Sequence, residues 1–180
     1  METNKQNTET TNFAQLVSKL KNEDSNYAKI SRAIQIMYWI FIPVFAIMTF
    51  REFSETGNTN ELISGAFFIL AFLIFALFFG KYYEEYKYVD YSLPTIKMLK
   101  QAAYRYQPFQ YRQVWIILAL VFVDLALTFD WMETTPVWEI QATFIGLITF
   151  SLLIGIIIWY FKYKPLRDDA LRLISELEEK

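Results

Sequence analysis

Asp124 is the one ionisable residue inside the four long apolar stretches of this chain. It lies six residues before Asp130, or ~9 Å from the end of a straight helix. A carboxylate at the centre of a membrane helix costs ~2.5–3.5 kcal/mol, and less towards the interface, so it calls for a partner or a proton. Two readings stay open. In the structural one, Asp124 bonds across helices to Thr49, Ser64 or Thr143, or pairs with Arg51. In the chemical one it relays a proton or a cation.

Other chemistry is scarce. The chain has no His and no Cys, which removes imidazole and thiolate catalysis, disulfides and ordinary zinc sites. The adjacent acids Glu84-Glu85 and Asp168-Asp169 diverge by ~100° on a helix and do not converge as an acid–base pair. The acids of the short loops lack calcium-loop spacing, and five glycines form no phosphate-binding loop. The expectation is a protein that is not an enzyme, with no cofactor and no metal ligands.

The elements that must position Asp124 are four charge-poor stretches, 33–50, 62–80, 113–129 and 140–161, of 18, 19, 17 and 22 residues. As helices they reach ~26 to 33 Å, matching a hydrocarbon core of ~30 Å. The run from Leu70 to Phe79 is apolar all round. A chain of 180 residues is too small to bury four such helices in water. The expected fold is an all-α integral membrane protein: four transmembrane helices in an antiparallel bundle, with amphipathic cytoplasmic helices.

Lysine and arginine set the expected orientation. The leader 1–32 carries five, the loop 81–112 six and the tail 162–180 five. The loop 51–61 carries only Arg51, and the loop 130–139 none. The positive-inside rule then places both termini and the long middle loop in the cytoplasm, at the cell (inner or plasma) membrane. Trp131 and Trp138 fall at the outer ends of the third and fourth stretches, Trp115 and Trp159 at their inner ends, as an aromatic belt requires. The polar leader lacks a cleavable signal, so the first span is expected to act as an uncleaved anchor.

Three polar pieces remain. In the leader, Met1–Thr11 reads as disordered. Phe13, Leu16, Val17 and Leu20 then line one helix face, the cluster 22–26 breaks that helix, and Asp24 or Ser25 caps the next. The middle loop holds eight of the twelve tyrosines. The second span is expected to run on to about Tyr91, with Ser92 capping a helix through Tyr106. Ile96, Leu99, Ala103 and Tyr106 form its apolar stripe, with Lys97, Lys100 and Arg105 elsewhere around it. Such a helix suits anionic headgroups, or its stripe docks on the other cytoplasmic helices. The candidate residues facing lipid or a partner are Lys97, Lys100, Tyr104, Arg105 and Tyr106. Six bases against three acids give no strong basic patch for nucleic acid. In the tail, Leu166, Ala170, Leu173 and Leu177 form the apolar stripe, and Asp168–Arg172, Arg172–Glu176 and Glu176–Lys180 are spaced as ion pairs.

Three smaller signals complete the reading. Pro43 is expected to bend the first span. Ala142/Gly146 and Ser151/Gly155 are small-residue pairs expected to pack within the monomer. Each half runs from a cytoplasmic amphipathic segment through a span, an acidic loop and a second span, a pattern that a duplication or the topology alone would give. Two functions compete. One is a non-catalytic accessory or scaffold binding a protein partner, a second copy or anionic lipid through 12–32, 81–112 and 165–180. The other is a small transporter or channel-like subunit using Asp124.

Overall fold

The computed structural model describes residues 2–179, with side chains from 13 to 179. The expected disorder of Met1–Thr11 is not found from Glu2 onward, where the backbone is already helical; Met1 lies outside the described residues. Six α-helices follow in order: α1 (Glu2–Thr56), α2 (Thr59–Lys87), α3 (Thr95–Arg105), α4 (Val114–Trp131), α5 (Val137–Ile158) and α6 (Lys164–Glu178). A 3₁₀ turn, Tyr111–Gln113, precedes α4, and a π turn, Trp159–Tyr163, joins α5 to α6. No strand occurs among the described residues.

Four of these stretches are long and apolar enough to cross a membrane: Phe13–Thr56, Thr59–Lys87, Tyr111–Trp131 and Val137–Glu178. Their apolar side chains largely face outward. Ile47, Phe50, Leu77, Ile117, Ile145, Leu147 and Phe150 are all exposed. A soluble chain does not leave apolar surface open along four helices, so the chain has the marks of a multi-pass membrane protein.

The chain divides into two compact units. The apolar unit comprises Lys29–Glu84 and Tyr111–Leu152. Here α1 and α2 run antiparallel, joined by a tight turn. Gly57 takes φ +67°, the left-handed conformation that ends a helix, and its N–H donates to Phe53 O at 2.8 Å. Asn58 Oδ1 then accepts from Asn60 N at 2.9 Å, covering a free amide of the first turn of α2. The interface is built of rings. Tyr38 stacks on Phe75 with centroids 5.0 Å apart, and Phe45 meets Phe72 edge-on at 4.9 Å. The helices approach closely at Gly65, where an added Cβ would lie 2.0 Å from Thr49 Oγ1. Phe67 carries the packing on to Phe122 and Phe129 of α4. Glu133 accepts from the side-chain amides of Asn58 and Asn60 at 3.1 and 2.8 Å, tying the α1–α2 turn to the α4–α5 loop.

The second, polar unit comprises Met1–Ala28, Glu85–Gln110 and Leu153–Lys180. Its centre is α3 packed against α6. Met98, Leu99, Ala102 and Ala103 of α3, and Leu166, Ala170, Leu173 and Ile174 of α6, are buried. Burying a leucine or isoleucine contributes about 1.5–3 kcal/mol in water, and α1 adds Leu16 and Leu20 to the buried set.

Several boundaries differ from expectation. The helix α1 does not break at 22–26; it runs unbroken to Thr56, through Pro43. The buried residues Leu16, Leu20, Asp24 and Ala28 fall four apart, so the polar cluster continues one helix face instead of capping a new helix. The helix α2 ends at Lys87, not Tyr91, because Asp90 Oδ1 accepts from both Ser92 N and Ser92 Oγ and closes a turn. Ser92 therefore does not cap α3; Pro94 stands at the cap, and its carbonyl accepts from Met98 N at 3.0 Å. At the other end, Pro165 has no N–H to give a carbonyl four residues back. The backbone widens there into the π turn, with Lys164 N donating to Trp159 O. Ile174, rather than the expected Leu177, completes the buried stripe of α6. Arg172–Glu176 is found as spaced, while Asp168 pairs with Lys164 and Asp169 with Arg172; Lys180 lies outside the described residues.

Candidate functional site

The most concentrated polar chemistry lies in the polar unit, around Asp24. Its side chain is only 2% exposed. A lone carboxylate buried this deeply would be prohibitive, and three donors answer it. Arg105 Nη2 donates to Oδ2 at 3.0 Å, the Tyr106 hydroxyl to Oδ1 at 2.5 Å, and the Tyr91 hydroxyl to Oδ2. Charge-assisted bonds of this kind are short and about twice as strong as neutral ones.

Two of the three donors come from the C-terminal end of α3. Arg105 is the last residue of α3, and Tyr106 caps that helix. Around the end of α3, the freed carbonyls find side-chain donors. Arg105 O accepts from Tyr86 Oη at 3.1 Å and Gln110 Nε2 at 2.8 Å, and Tyr106 O accepts from Trp159 Nε1 at 2.9 Å. Rings wall the cluster. Tyr27 stacks on Tyr86 at 4.4 Å, Tyr163 on Tyr106 at 5.7 Å, and Tyr163 meets Tyr27 edge-on. The ammonium of Lys21 sits 5.2 Å from the Tyr91 ring centre. Glu23 and Lys162 add an ion pair at 2.8 Å. Burial, reinforced by the neighbouring Asp24 charge, pushes the Tyr91 and Tyr106 hydroxyls well above the usual phenol range. Both therefore stay protonated and donate. This is a structural knot: both Asp24 oxygens accept, and the Tyr91 and Tyr106 hydroxyls and Arg105 Nη2 are spent on them, while Arg105 Nε is buried without a hydrogen-bond partner among the described residues.

The outward face of α3 is the second feature. Lys97, Lys100, Gln101 and Tyr104 recur at helical spacing and are exposed. Lys100 Nζ makes an ion pair with Glu178 at 2.7 Å, both partners more than half exposed. Of the five residues expected to face lipid or a partner, Lys97, Lys100 and Tyr104 do face outward. Arg105 and Tyr106, 7% and 3% exposed, turn inward to Asp24.

The residues expected around Asp124 lie in the apolar unit but do not gather on it. Arg51 pairs with Glu55 at 2.8 Å, one turn along its own helix. Thr49 is buried against Gly65, Ser64 is buried, and Thr143 is exposed. Asp124 Oδ1 is buried with no hydrogen-bond partner among the described residues. Its backbone carbonyl accepts from Thr128 Oγ1, which in turn accepts from Gln141 Nε2. Gly146 and Gly155, expected to pack within the monomer, have open space where a Cβ would stand. Among the described residues no three acids gather as a metal site.

Sequence reasoning passed over Asp24 as a helix cap. The signal was its place four residues after Leu20 on the face that begins at Leu16, together with a long segment rich in tyrosine and bases but free of acid from Tyr91 to Val123. No family model matches the chain, and no curated protein or solved structure gives a match.

Proposed function

We propose that the chain is a non-catalytic accessory or scaffold protein of the cell membrane, with both termini in the cytoplasm, whose polar unit meets anionic lipid or a protein partner. The observation that carries this is the division of labour on α3. Its apolar face is filled by α6 of the same chain, and its opposite face leaves Lys97, Lys100 and Tyr104 outward. A basic, aromatic helix face that follows an apolar stretch in the sequence suits anionic headgroups. The distribution of Lys and Arg supports the cytoplasmic orientation. Six bases against three acids in 81–112 give no footing for nucleic acid.

The test is amide exchange of residues 95–105 in the reconstituted full chain. Exchange slows when phosphatidylglycerol is added to phosphatidylcholine bilayers. Equal rates in both bilayers, with no protein partner protecting the same residues, would remove the proposal.

A second reading, a small transporter or channel-like subunit, has one observation in its favour: the buried Asp124 Oδ1 without a partner. Its test is proton-coupled flux in proteoliposomes. Loss of flux in Asp124→Asn with the fold intact supports a relay, and loss of both fold and flux removes it.

A further inference from the structure

A groove of about 710 Å³ opens beside α3 in the polar unit. Lys97, Lys100 and Tyr104 form one side of it, and Val89, Pro94 and Ile96 supply apolar surface. Arg105 also lines it, and Glu85 is the acid of this wall. Three bases against one acid leave a positive site, though the Arg105 charge is already met by Asp24.

Charge, shape and position together specify the occupant. Ammonium groups bind phosphate as point charges, and two of them stand here at i and i+3 on one helix face. The exposed Lys100–Glu178 pair is of the kind worth little in water, so Lys100 is available to a stronger anion. The buried Arg105 Nε is a donor that the described residues leave unanswered. The apolar wall has no use for a free anion; it fits a molecule with both a phosphate and a greasy body. In sequence, Glu85 follows the charge-free stretch 62–80 by five residues, so the groove belongs to the part of the chain that leaves the apolar helices.

We infer that this groove seats one anionic phospholipid, its phosphate against Lys97 and Lys100 and its glycerol and upper acyl carbons along Val89, Pro94, Ile96 and the Tyr104 ring. The inference rests on the anionic-lipid arm of the proposed function and narrows it from a surface to a single site. A stoichiometric site holds its lipid through purification; a diffuse basic face exchanges it.

The experiment is native mass spectrometry of the full chain in a neutral detergent, titrated with phosphatidylglycerol, phosphatidylcholine or inorganic phosphate. The expected result is one retained phosphatidylglycerol, saturating at one, with neither phosphatidylcholine nor phosphate competing at equal concentration. Val89→Trp fills the groove without changing charge and abolishes that single adduct. Lys97→Gln with Lys100→Gln weakens it by about twenty-five-fold, on the order of fivefold per lysine; this pair carries the test if the tryptophan variant fails to fold. Lys81→Gln, outside the groove, leaves it unchanged. Displacement by inorganic phosphate would overturn the lipid assignment. A preference for phosphatidylglycerol that survives Val89→Trp and does not saturate at one would overturn the groove while sparing the broader reading. Equal retention of phosphatidylcholine and phosphatidylglycerol would overturn the groove and the anionic-lipid arm together.

Discussion

The two units are held by opposite means. In the apolar unit, rings and small residues do the work: Tyr38, Phe41 and Phe45 lie against Phe68, Phe72 and Phe75, and Gly65 lets Thr49 come close. In the polar unit, a buried carboxylate gathers Arg105, Tyr91 and Tyr106, and the rings of Tyr27, Tyr86 and Tyr163 close around them. The contrast teaches where each kind of contact pays. In lipid, apolar burial between helices gains little over lipid contact, so shape and close approach decide. Facing water, burial and charge-assisted bonding both contribute, and a half-made polar knot is worse than none.

The sharpest way to break the contrast is Asp24→Ala. It leaves a buried guanidinium and two phenols without their acceptor, at a loss of about 3–5 kcal/mol. Amide exchange should rise across 95–105 and 164–178, with 59–84 unchanged. Replacing both ends of the pair, Asp24→Leu with Arg105→Met, should recover much of that loss, because no charge is then stranded. Tyr106→Phe removes one charge-assisted bond and should weaken the polar unit by about 1.5–3 kcal/mol in the same measurement.

The apolar unit has its own counterpart. Gly65→Ala puts a methyl group against Thr49 and should destabilise α1–α2 packing by about 1–3 kcal/mol. Thr49→Gly in the same chain should relieve it, and thermal unfolding in detergent reads both. Alkali separates the units further. The Tyr91 and Tyr106 hydroxyls are raised in the folded state above the ordinary value of 10.0. Their contribution is fully present below that value and is lost as pH rises through the folded-state values. Exchange in 95–105 should therefore rise in strong alkali before that in 59–84 does. The smallest effect is Lys100→Gln, which removes an exposed ion pair with Glu178 and should change stability by no more than about 1 kcal/mol.

Much of the fold was legible because the membrane imposes a crude code. Long charge-free runs marked the four apolar helices, but not their ends: the stretches found run to 44, 29, 21 and 42 residues, because helical polar segments continue them. The polar unit was harder to read for a physical reason. Asp24 looks like a helix breaker when its partners are unseen, and those partners stand 67 to 82 residues away. Arg105 and Tyr106 looked outward-facing because a base beside an aromatic usually is; their orientation depends on Asp24. Asp124 shows the reverse. Its oddity was plain in the sequence, but Arg51 turned to Glu55 one turn away, since a local pair needs no cross-helix geometry.

The proposed function depends on the polar unit lying in the cytoplasm and the short acidic loops outside. The chain has no Cys, so single cysteines report without background. Cysteines at the exposed positions Tyr104 and Glu178, and at Thr135 in the α4–α5 loop, should be challenged in intact cells with a membrane-impermeant maleimide. The account predicts labelling at 135 in intact cells and at 104 and 178 only after permeabilisation. Labelling at 104 in intact cells, with 135 protected, would contradict it.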